Sequence, residues 1–224
     1  NQSLVRLNLY ETSIKGGDEL DNEDLVIHKE TFAEAPELSE LTIRSNRLLL
    51  DTKIHPEAFI DNPKLTRLYY LSYRRTNGNL PSFASNPQLY YVYMHYNKFS
   101  GFLPNFASNP NIYYARFSYN ELDGFIPVYK NLTNLRYLFI NNNKFSSMNP
   151  PENLPKLEYF YAHNNLLSGE IPDLSECPKL RNLLLFNNSF TNYKTGSLAE
   201  SYYLRYVDLT NNNLSQQSLS QLYF

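Results

Sequence analysis

The sequence has one cysteine, no tryptophan and charges that nearly cancel. Cys177 has no partner within the chain, so a scaffold stapled by intrachain disulfides is excluded. No apolar run approaches the ~18 residues of a membrane-spanning helix, and we therefore expect no membrane insertion. Its 20 basic and 22 acidic residues give a formal net charge of −2, which offers nucleic acid no positive field.

Aromatic side chains are abundant instead: the chain has 20 tyrosines and 14 phenylalanines. Hydrophobic residues make up 42% of the chain and charged residues 19%, which predicts a packed core rather than disorder. Tyrosine packs in a core and also faces water, so these residues are candidates for both roles.

A repeated segment organises almost the whole chain. Aligned copies begin at nine apolar anchors, whose spacing settles at 22 to 24 residues after two longer intervals. The anchors are Leu4, Leu38, Leu65, Leu89, Ile112, Leu135, Leu157, Leu180 and Leu204. A near-constant period of this length indicates a stacked repeat architecture. Positions below are counted from the anchor, so that position +2 is the second residue after it.

Each copy begins with the pattern L-x-x-L-x-L-x-x-N-x-L. Apolar residues at positions +3 and +5 alternate with other types, which predicts a short half-buried strand in every repeat. An asparagine recurs at position +8, where we expect its amide to satisfy backbone groups of the following turn rather than to bind metal. This predicted ladder comprises Asn46, Asn97, Asn120, Asn143, Asn165, Asn188 and Asn212.

The second half of several copies reads S-G-x-φ-P, where φ is apolar. Gly101, Gly124 and Gly169 permit a turn with positive φ, while a proline three residues later ends any helix. The two halves together resemble the leucine-rich-repeat family, and in particular the plant-specific class that also occurs in some bacterial and viral surface proteins. The resemblance implies a ligand-binding or adhesion module but no particular ligand. The chain lacks the paired-cysteine caps of plant receptors, which favours a bacterial or phage surface protein.

The predicted fold is an α/β-type repeat solenoid with a curved parallel sheet on its concave face. We expect short strands, 3₁₀ turns and irregular segments on the convex face, with few helices. Residues 1–224 are predicted to form a single domain of about nine repeats. Neither end shows an obvious polar cap, so we expect the domain to belong to a longer chain or to dock a neighbouring one. Residues 16–25 are predicted to be a solvated acidic insertion, and residues 215–224 to form one or two helical turns.

The concave face is the predicted binding surface. Side chains at positions +2, +4 and +6 should point out of the sheet there, and exposed tyrosine and arginine dominate binding hot spots. Stacking that only stabilises the sheet is the alternative role for the aromatic rings, and both roles are compatible. The candidate ligand-binding residues are Tyr69, Tyr91, Tyr93, His95, Tyr114, Arg116, Tyr137, Phe139, Tyr159, Tyr161, His163 and Phe186.

Catalytic arrangements are not indicated. His95 and His163 share a column but are three repeats, or about 14 Å, apart, which is too far for them to bind one zinc ion. Glu158 and Asp208 are predicted concave carboxylates about 10 Å apart, beyond the separation that glycosidases use. We therefore expect no enzyme activity, no cofactor and no metal site.

The sequence accordingly favours a recognition or adhesion module that binds a protein or glycan ligand outside the cell, on a cell surface or on a virion. The competing interpretation is a structural component of a larger assembly, such as a viral or phage tail, fibre or capsid decoration. In that case the tyrosine-rich face or the bare ends would contact a neighbouring subunit.

Overall fold

A computed structural model describes residues 2–10, 25–44, 52–72, 76–193, 198 and 201–217. Within these ranges the chain is a parallel-strand solenoid whose helical content is one 3₁₀ turn, Lys29–Phe32, and residues 216–217. The predicted solenoid fold is confirmed. Asn46, residues 16–24 of the predicted acidic insertion and residues 218–224 lie outside the described residues.

The strands alternate between two faces. In chain order they are β1 (Arg6–Tyr10), β2 (Leu25–Ile27), β3 (Glu40–Arg44), β4 (Thr52–Ile54), β5 (Arg67–Leu71), β6 (Thr76–Asn79), β7 (Tyr91–Tyr93), β8 (Lys98–Gly101), β9 (Tyr114–Arg116), β10 (Glu121–Ile126), β11 (Tyr137–Phe139), β12 (Lys144–Met148), β13 (Tyr159–Tyr161), β14 (Ser168–Ile171), β15 (Asn182–Leu184), β16 (Ser189–Tyr193) and β17 (Tyr206–Asp208). The nine odd-numbered strands form one parallel sheet in sequence order. The even-numbered strands β2 to β12 form a second parallel sheet, and β14 pairs with β16.

Equivalent positions of successive repeats lie directly opposite each other in the first sheet. Tyr91 pairs with Tyr114, for example, and Tyr137 pairs with both Tyr114 and Tyr159. Neighbouring strands of a sheet are about 4.8 Å apart, so each repeat position becomes a column of side chains at that spacing. What a column presents is therefore decided by what recurs in the sequence.

Columns +3 and +5 form the core. Val92, Met94, Ala115 and Phe117 are all fully buried between the two sheets, as the alternating pattern predicts. Burial of apolar area at this density is the main source of stability for such a fold.

Aromatic rings also line the turns that lead into the concave strands from β3 to β11. Phe83 and Phe106 have ring centroids 6.1 Å apart, and Tyr129 lies 6.2 Å from Phe106. Phe32 and Phe59 stack in the same way at 5.9 Å. These rings continue the core along the length of the solenoid.

The asparagine at position +8 joins adjacent repeats. The Oδ1 atom of Asn120 accepts the backbone N–H of Phe99 in the preceding repeat, at 3.1 Å. Its Nδ2 atom donates to the carbonyls of Met94 and Phe117, at 2.9 and 3.0 Å. The same position of the ladder makes equivalent bonds at Asn97, Asn143, Asn165, Asn188 and Asn212.

A second buried asparagine column precedes the anchors. Asn86 donates from Nδ2 to the carbonyls of Phe59 and Asn62, each at 2.9 Å, and Asn109 repeats this pattern one turn later. Cys177 occupies the equivalent position near the C-terminal end and is fully buried. Burial raises the pKa of its thiol to about 12, so the thiol stays protonated and packs as a small apolar group.

Glycines produce the bends in the second sheet. Gly124 has φ +73°, and the register between β10 and β12 shifts between Gly124 and Phe125. A β-bulge of this kind needs a residue that tolerates the left-handed region. The repeated glycine of the sequence motif therefore bends the chain within the second sheet and within the β14–β16 pair.

Replacing Asn120 with alanine should destabilise the chain by about 1–3 kcal/mol, because the buried N–H of Phe99 loses its partner and two buried carbonyls each lose one of their hydrogen bonds. Urea unfolding followed by circular dichroism measures the change. The matched control is Asn111→Ala, an asparagine that is exposed at position −1. Equal loss in the two variants would show that the buried amide does not link the repeats.

Candidate ligand-binding face

The most ordered feature of the concave face is the tyrosine column at position +2. The rings of Tyr91 and Tyr114 are 4.2 Å apart and within 4° of parallel, and those of Tyr137 and Tyr159 are 5.0 Å apart and within 10°. Tyr114 and Tyr137 connect the two stacks at 5.5 Å with a 41° tilt. Because the ring faces cover one another, this column presents ring edges and hydroxyl groups to solvent.

Column +4 encloses a cation. The guanidinium of Arg116 lies 5.2 Å from the ring centroid of Tyr93 and 5.8 Å from that of Phe139, its neighbours on either side. Phe139 in turn contacts Tyr161 at 4.7 Å, while Tyr69 and Tyr93 are 6.0 Å apart at the other end. Cation–π attraction of this kind is worth about 0.5–2 kcal/mol and holds the guanidinium between the two rings.

Column +6 departs from the expected outward position in the middle repeats. His95 is only 6% exposed, and Ser118 is fully buried with its hydroxyl donating to Asn141 Oδ1 at 2.7 Å. The column reaches the surface at both ends: Tyr10 and Arg44 are exposed at the N-terminal end, and the half-buried rings of His163 and Phe186 stack at 4.3 Å at the C-terminal end.

A hydrogen-bonded chain fixes His95 beneath the aromatic columns. Arg116 Nη1 donates to the Tyr93 hydroxyl at 3.4 Å, and that hydroxyl lies 3.2 Å from His95 Nε2. The ring of Tyr96 contacts the histidine edge-on from the other side at 4.6 Å. Burial, with a smaller contribution from the Arg116 charge, lowers the His95 pKa to about 4, so the imidazole is neutral at pH 7.

His95 forms part of the wall of a cleft of about 480 Å³ at the N-terminal half of the concave face. The side chains around it are Tyr10, Thr42, Ile43, Arg44, Tyr69, Leu71, Tyr93, His95 and Tyr96. The cleft brings three of the predicted site residues together, Tyr69, Tyr93 and His95, and adds an arginine and two tyrosines from outside the predicted set.

Position +7 is a feature that the sequence reasoning missed. From Tyr96 onwards its residues have φ between 53° and 58°, the left-handed region that asparagine tolerates better than most other residues with a side chain. Asn164 donates to Asn142 Oδ1 at 3.1 Å, Asn187 donates to Asn164 at 2.6 Å and Asn211 donates to Asn187 at 2.7 Å. This outer amide ladder borders the concave face, and the recurring Asn-Asn pair at positions +7 and +8 is the signal that could have revealed it.

Glu158 also lies elsewhere than expected. Its carboxylate is at the edge of the sheet, at position +1, and only 9% of the side chain is exposed. Arg136 Nε lies 2.8 Å from Oε1 and Arg181 Nε lies 3.1 Å from Oε2. The predicted open concave carboxylate is therefore an internal ion-pair partner of two arginines.

Among the described residues, no group of three or more histidine, cysteine, aspartate or glutamate side chains could hold a metal ion. No helix in the described part of the chain is long and apolar enough to cross a membrane.

Protonation of His95 should make the stability depend on pH. The unfolded histidine takes up a proton below about pH 6.5, whereas the folded one resists protonation down to about pH 4. Stability should therefore rise with pH across this window and be lost as pH falls through it. The stability that the wild type loses between pH 7 and pH 4 should be about 1–2 kcal/mol smaller in His95→Gln. This figure allows for the screening of the Arg116 charge by solvent.

Urea unfolding of the wild type and of His95→Gln between pH 4 and 7 measures this difference. Carboxylates titrate in both proteins, so their contribution to the change in stability drops out of the comparison. His163→Gln is the control, since that ring is half-exposed and Asp208 opposes the lowering of its pKa. Parallel pH profiles for wild type and His95→Gln would mean that the imidazole is not protected from protonation.

Comparison with known proteins agrees with this architecture. A family model described as Leucine Rich repeats (2 copies) matches residues 133–176. No curated protein sequence matches the chain. Among solved structures, the plant peptide hormone receptor RGFR1 in complex with RGF2 aligns with a TM-score of 0.71 and 25% identity, over 83% of this chain and 30% of the receptor.

Two further solved structures that align with the chain are a protein of Listeria monocytogenes and a domain from a complex of several proteins. InlP of Listeria monocytogenes aligns with a TM-score of 0.63 and 25% identity, over 80% of this chain and 49% of that one. The leucine-rich-repeat domain of FLRT2, in an octameric complex with Latrophilin 3 and Unc5D, aligns with a TM-score of 0.69 and 18% identity, over 94% of this chain and 62% of that one. The chain thus spans less than two thirds of each of these proteins. Period, strand register and fold similarity together identify the chain as a leucine-rich-repeat solenoid.

Proposed function

We propose that the chain is a non-catalytic recognition module that binds a protein ligand on its tyrosine-rich concave face. The observation that carries this proposal is the stacked column +2, whose rings are held in place by one another before any ligand arrives. A surface that is already ordered loses little side-chain entropy on binding. The proposed contact residues are Tyr69, Tyr91, Tyr93, Tyr114, Arg116, Tyr137, Phe139, Tyr159, Tyr161, His163 and Phe186, with His95 supporting them from beneath.

The way the rings are oriented favours protein over glycan as the ligand. Sugars are recognised by stacking of their apolar faces on open aromatic faces, and in column +2 those faces are occupied by neighbouring tyrosines. What remains accessible is a row of hydroxyl groups and ring edges, with the Arg116 guanidinium beside it. Hydroxyl and guanidinium groups match the carbonyls and carboxylates of a polypeptide.

The solved relatives support the same class of ligand. RGFR1 was solved with RGF2, and GASSHO1/SCHENGEN3 of Arabidopsis thaliana, which aligns with a TM-score of 0.69 and 21% identity over 83% of this chain and 25% of that one, was solved with CASPARIAN STRIP INTEGRITY FACTOR 2. FLRT2 was solved in complex with other proteins. By analogy with these proteins we propose an extracellular or surface location for this chain, and the analogy is one of fold.

The chemistry of the face is consistent with binding without catalysis. His95 is neutral and enclosed, so it is not positioned to exchange protons with a ligand. Glu158 is paired with two arginines and is not available as a general base. Asp208 is held by Thr210, which lowers the carboxyl pKa and keeps it ionised.

An array of secreted proteins, peptides and glycans tests the proposal, with the wild type and two variants as probes. In the first variant Tyr91, Tyr114, Tyr137 and Tyr159 all become serine, which removes the column. Ligand affinity should fall at least about a hundredfold, since several hot-spot side chains are lost together. In the second, the same four residues become phenylalanine, so that the stack persists without hydroxyl groups and an intermediate loss is expected.

The matched control is Tyr202→Ser, because Tyr202 is 79% exposed and lies outside the three columns. If the wild type bound only glycans on the array, the proposed ligand class would change from protein to carbohydrate. Unchanged affinity in the serine variant would reject the concave face as the binding surface. Self-association that depends on the same tyrosines would instead favour the alternative function, a structural part of a larger assembly.

A further inference from the structure

A second surface runs along the edge of the concave sheet, at positions −1 and +1, where each repeat enters its strand. In the last four repeats these positions carry the cations Arg136, Lys156, Lys179, Arg181 and Arg205 and the single carboxylate Glu158. We call this surface the basic edge. It lies beside column +2, outside the residues of the proposed concave site.

The basic edge contrasts with the same edge in the N-terminal repeats. There, Lys64 at position −1 is paired with Glu37 at the same position of the preceding repeat, and the residues at position +1 are the uncharged Val5, Ser39 and Thr66. Cations and carboxylates on successive repeats therefore offset each other locally. The chain as a whole has a net charge of −2, so an unbalanced positive strip is a local property and not a consequence of composition.

Glu158 neutralises only part of the basic edge. It is shared between Arg136 and Arg181, and within the described residues no other carboxylate makes an ion pair with the five cations. Lys156 donates to the neutral Asn134 Oδ1 at 2.8 Å instead. The triad of two arginines and one glutamate thus keeps one net positive charge, and the exposed lysines and Arg205 add to it.

The cations line a groove. Lys156 and Lys179 are both exposed and lie on adjacent repeats, about 4.8 Å apart along the solenoid. With Arg136 and Glu158 they border a groove of about 310 Å³, which ends against the rings of Tyr90 and Tyr113. These two rings are stacked on each other, with centroids 4.9 Å apart and planes within 3° of parallel. Two like charges on adjacent repeats repel each other, and an anion between them would remove the repulsion.

We propose that the basic edge binds an acidic segment of a polypeptide ligand, with side-chain carboxylates between Lys156 and Lys179 and against Arg136. The inference rests on the proposed function, because the groove borders column +2 and one ligand chain could contact both. The carboxylate is the anion that a protein ligand carries most often, and lysine and arginine bind it by charge-assisted hydrogen bonds. Glu158 limits the positive charge and so sets an upper bound on affinity for anions.

A fluorescent oligoglutamate peptide tests this inference without knowledge of the natural ligand. Fluorescence anisotropy should detect binding at about 20 mM salt that weakens strongly at about 200 mM, as expected for exposed charges. The double substitution Lys156→Gln and Lys179→Gln should weaken binding about tenfold. Glu158→Gln should do the opposite and tighten binding severalfold, because it removes the only carboxylate of the groove.

The matched control is the double substitution Lys130→Gln and Lys144→Gln. It changes the net charge by the same amount, at lysines that are paired with Glu152 and Glu121 away from the basic edge. Its affinity for oligoglutamate should equal that of the wild type. Thermal unfolding of each variant confirms that the solenoid is intact, and if Glu158→Gln does not fold, the two lysine variants still decide the matter.

Three results would overturn the inference: no binding of oligoglutamate at low salt, equal loss in the two lysine variants, or tighter binding of a heparin fragment than of oligoglutamate at the same groove. The last would assign the basic edge to a sulfated glycan. None of these results affects the tyrosine-dependent ligand of the concave face. Conversely, if a ligand bound the serine variant as tightly as the wild type, oligoglutamate would still bind the basic edge.

Discussion

The structure depends on the residue-for-residue parallel register between successive repeats. In a parallel sheet built from repeats, each side chain has the equivalent residue of the next repeat as its neighbour at about 4.8 Å. A column is therefore stable only if side chains of the same type can lie next to each other favourably. Apolar residues meet this condition by packing, and they fill columns +3 and +5. Asparagine meets it because its amide carries both donors and an acceptor: at position +7 the amides bond one another, and at positions +8 and −3 each amide bonds backbone groups of neighbouring repeats.

Aromatic and charged columns satisfy the same condition in different ways. Tyrosines stack ring on ring, which stabilises the sheet and at the same time fixes the hydroxyl groups on its surface. Like charges on adjacent repeats repel each other, so a charged column is stabilised when the sign alternates. Arg136, Glu158 and Arg181 alternate in this way on consecutive repeats. Lys156 and Lys179 do not alternate, nor do Arg181 and Arg205, and this accumulation of like charges on adjacent repeats is what separates the basic edge from the ordinary solvated surface.

The features set by the repeat alone could be predicted from the sequence. The strand positions, the buried columns and the glycine turns all follow from the period, because a regular spacing determines which face of a strand each residue occupies. The burial of His95 did not follow from it, since that depends on how the rings of Tyr93 and Tyr96 close over the imidazole. The position of Glu158 was missed for a similar reason: its place beside two arginines at the sheet edge is a relation between side chains of three repeats, which no single copy of the motif contains.

The left-handed residue at position +7 shows how the fold and the surface constrain each other. Asparagine occupies it in the C-terminal repeats, but Tyr96 and Tyr119 occupy it in the middle, with φ of 56° and 58°. A bulky residue is disfavoured in this region by roughly 1–2 kcal/mol. The two rings stack on each other at 4.4 Å, and Tyr96 also covers His95, so these contacts offset the backbone strain. The aromatic residues of the middle repeats have therefore displaced the residue that the backbone favours. The strained Tyr96 lies in the wall of a cleft lined by tyrosines and an arginine, and strain of this kind is expected where the side chains themselves are needed, which supports the binding role proposed for the concave face.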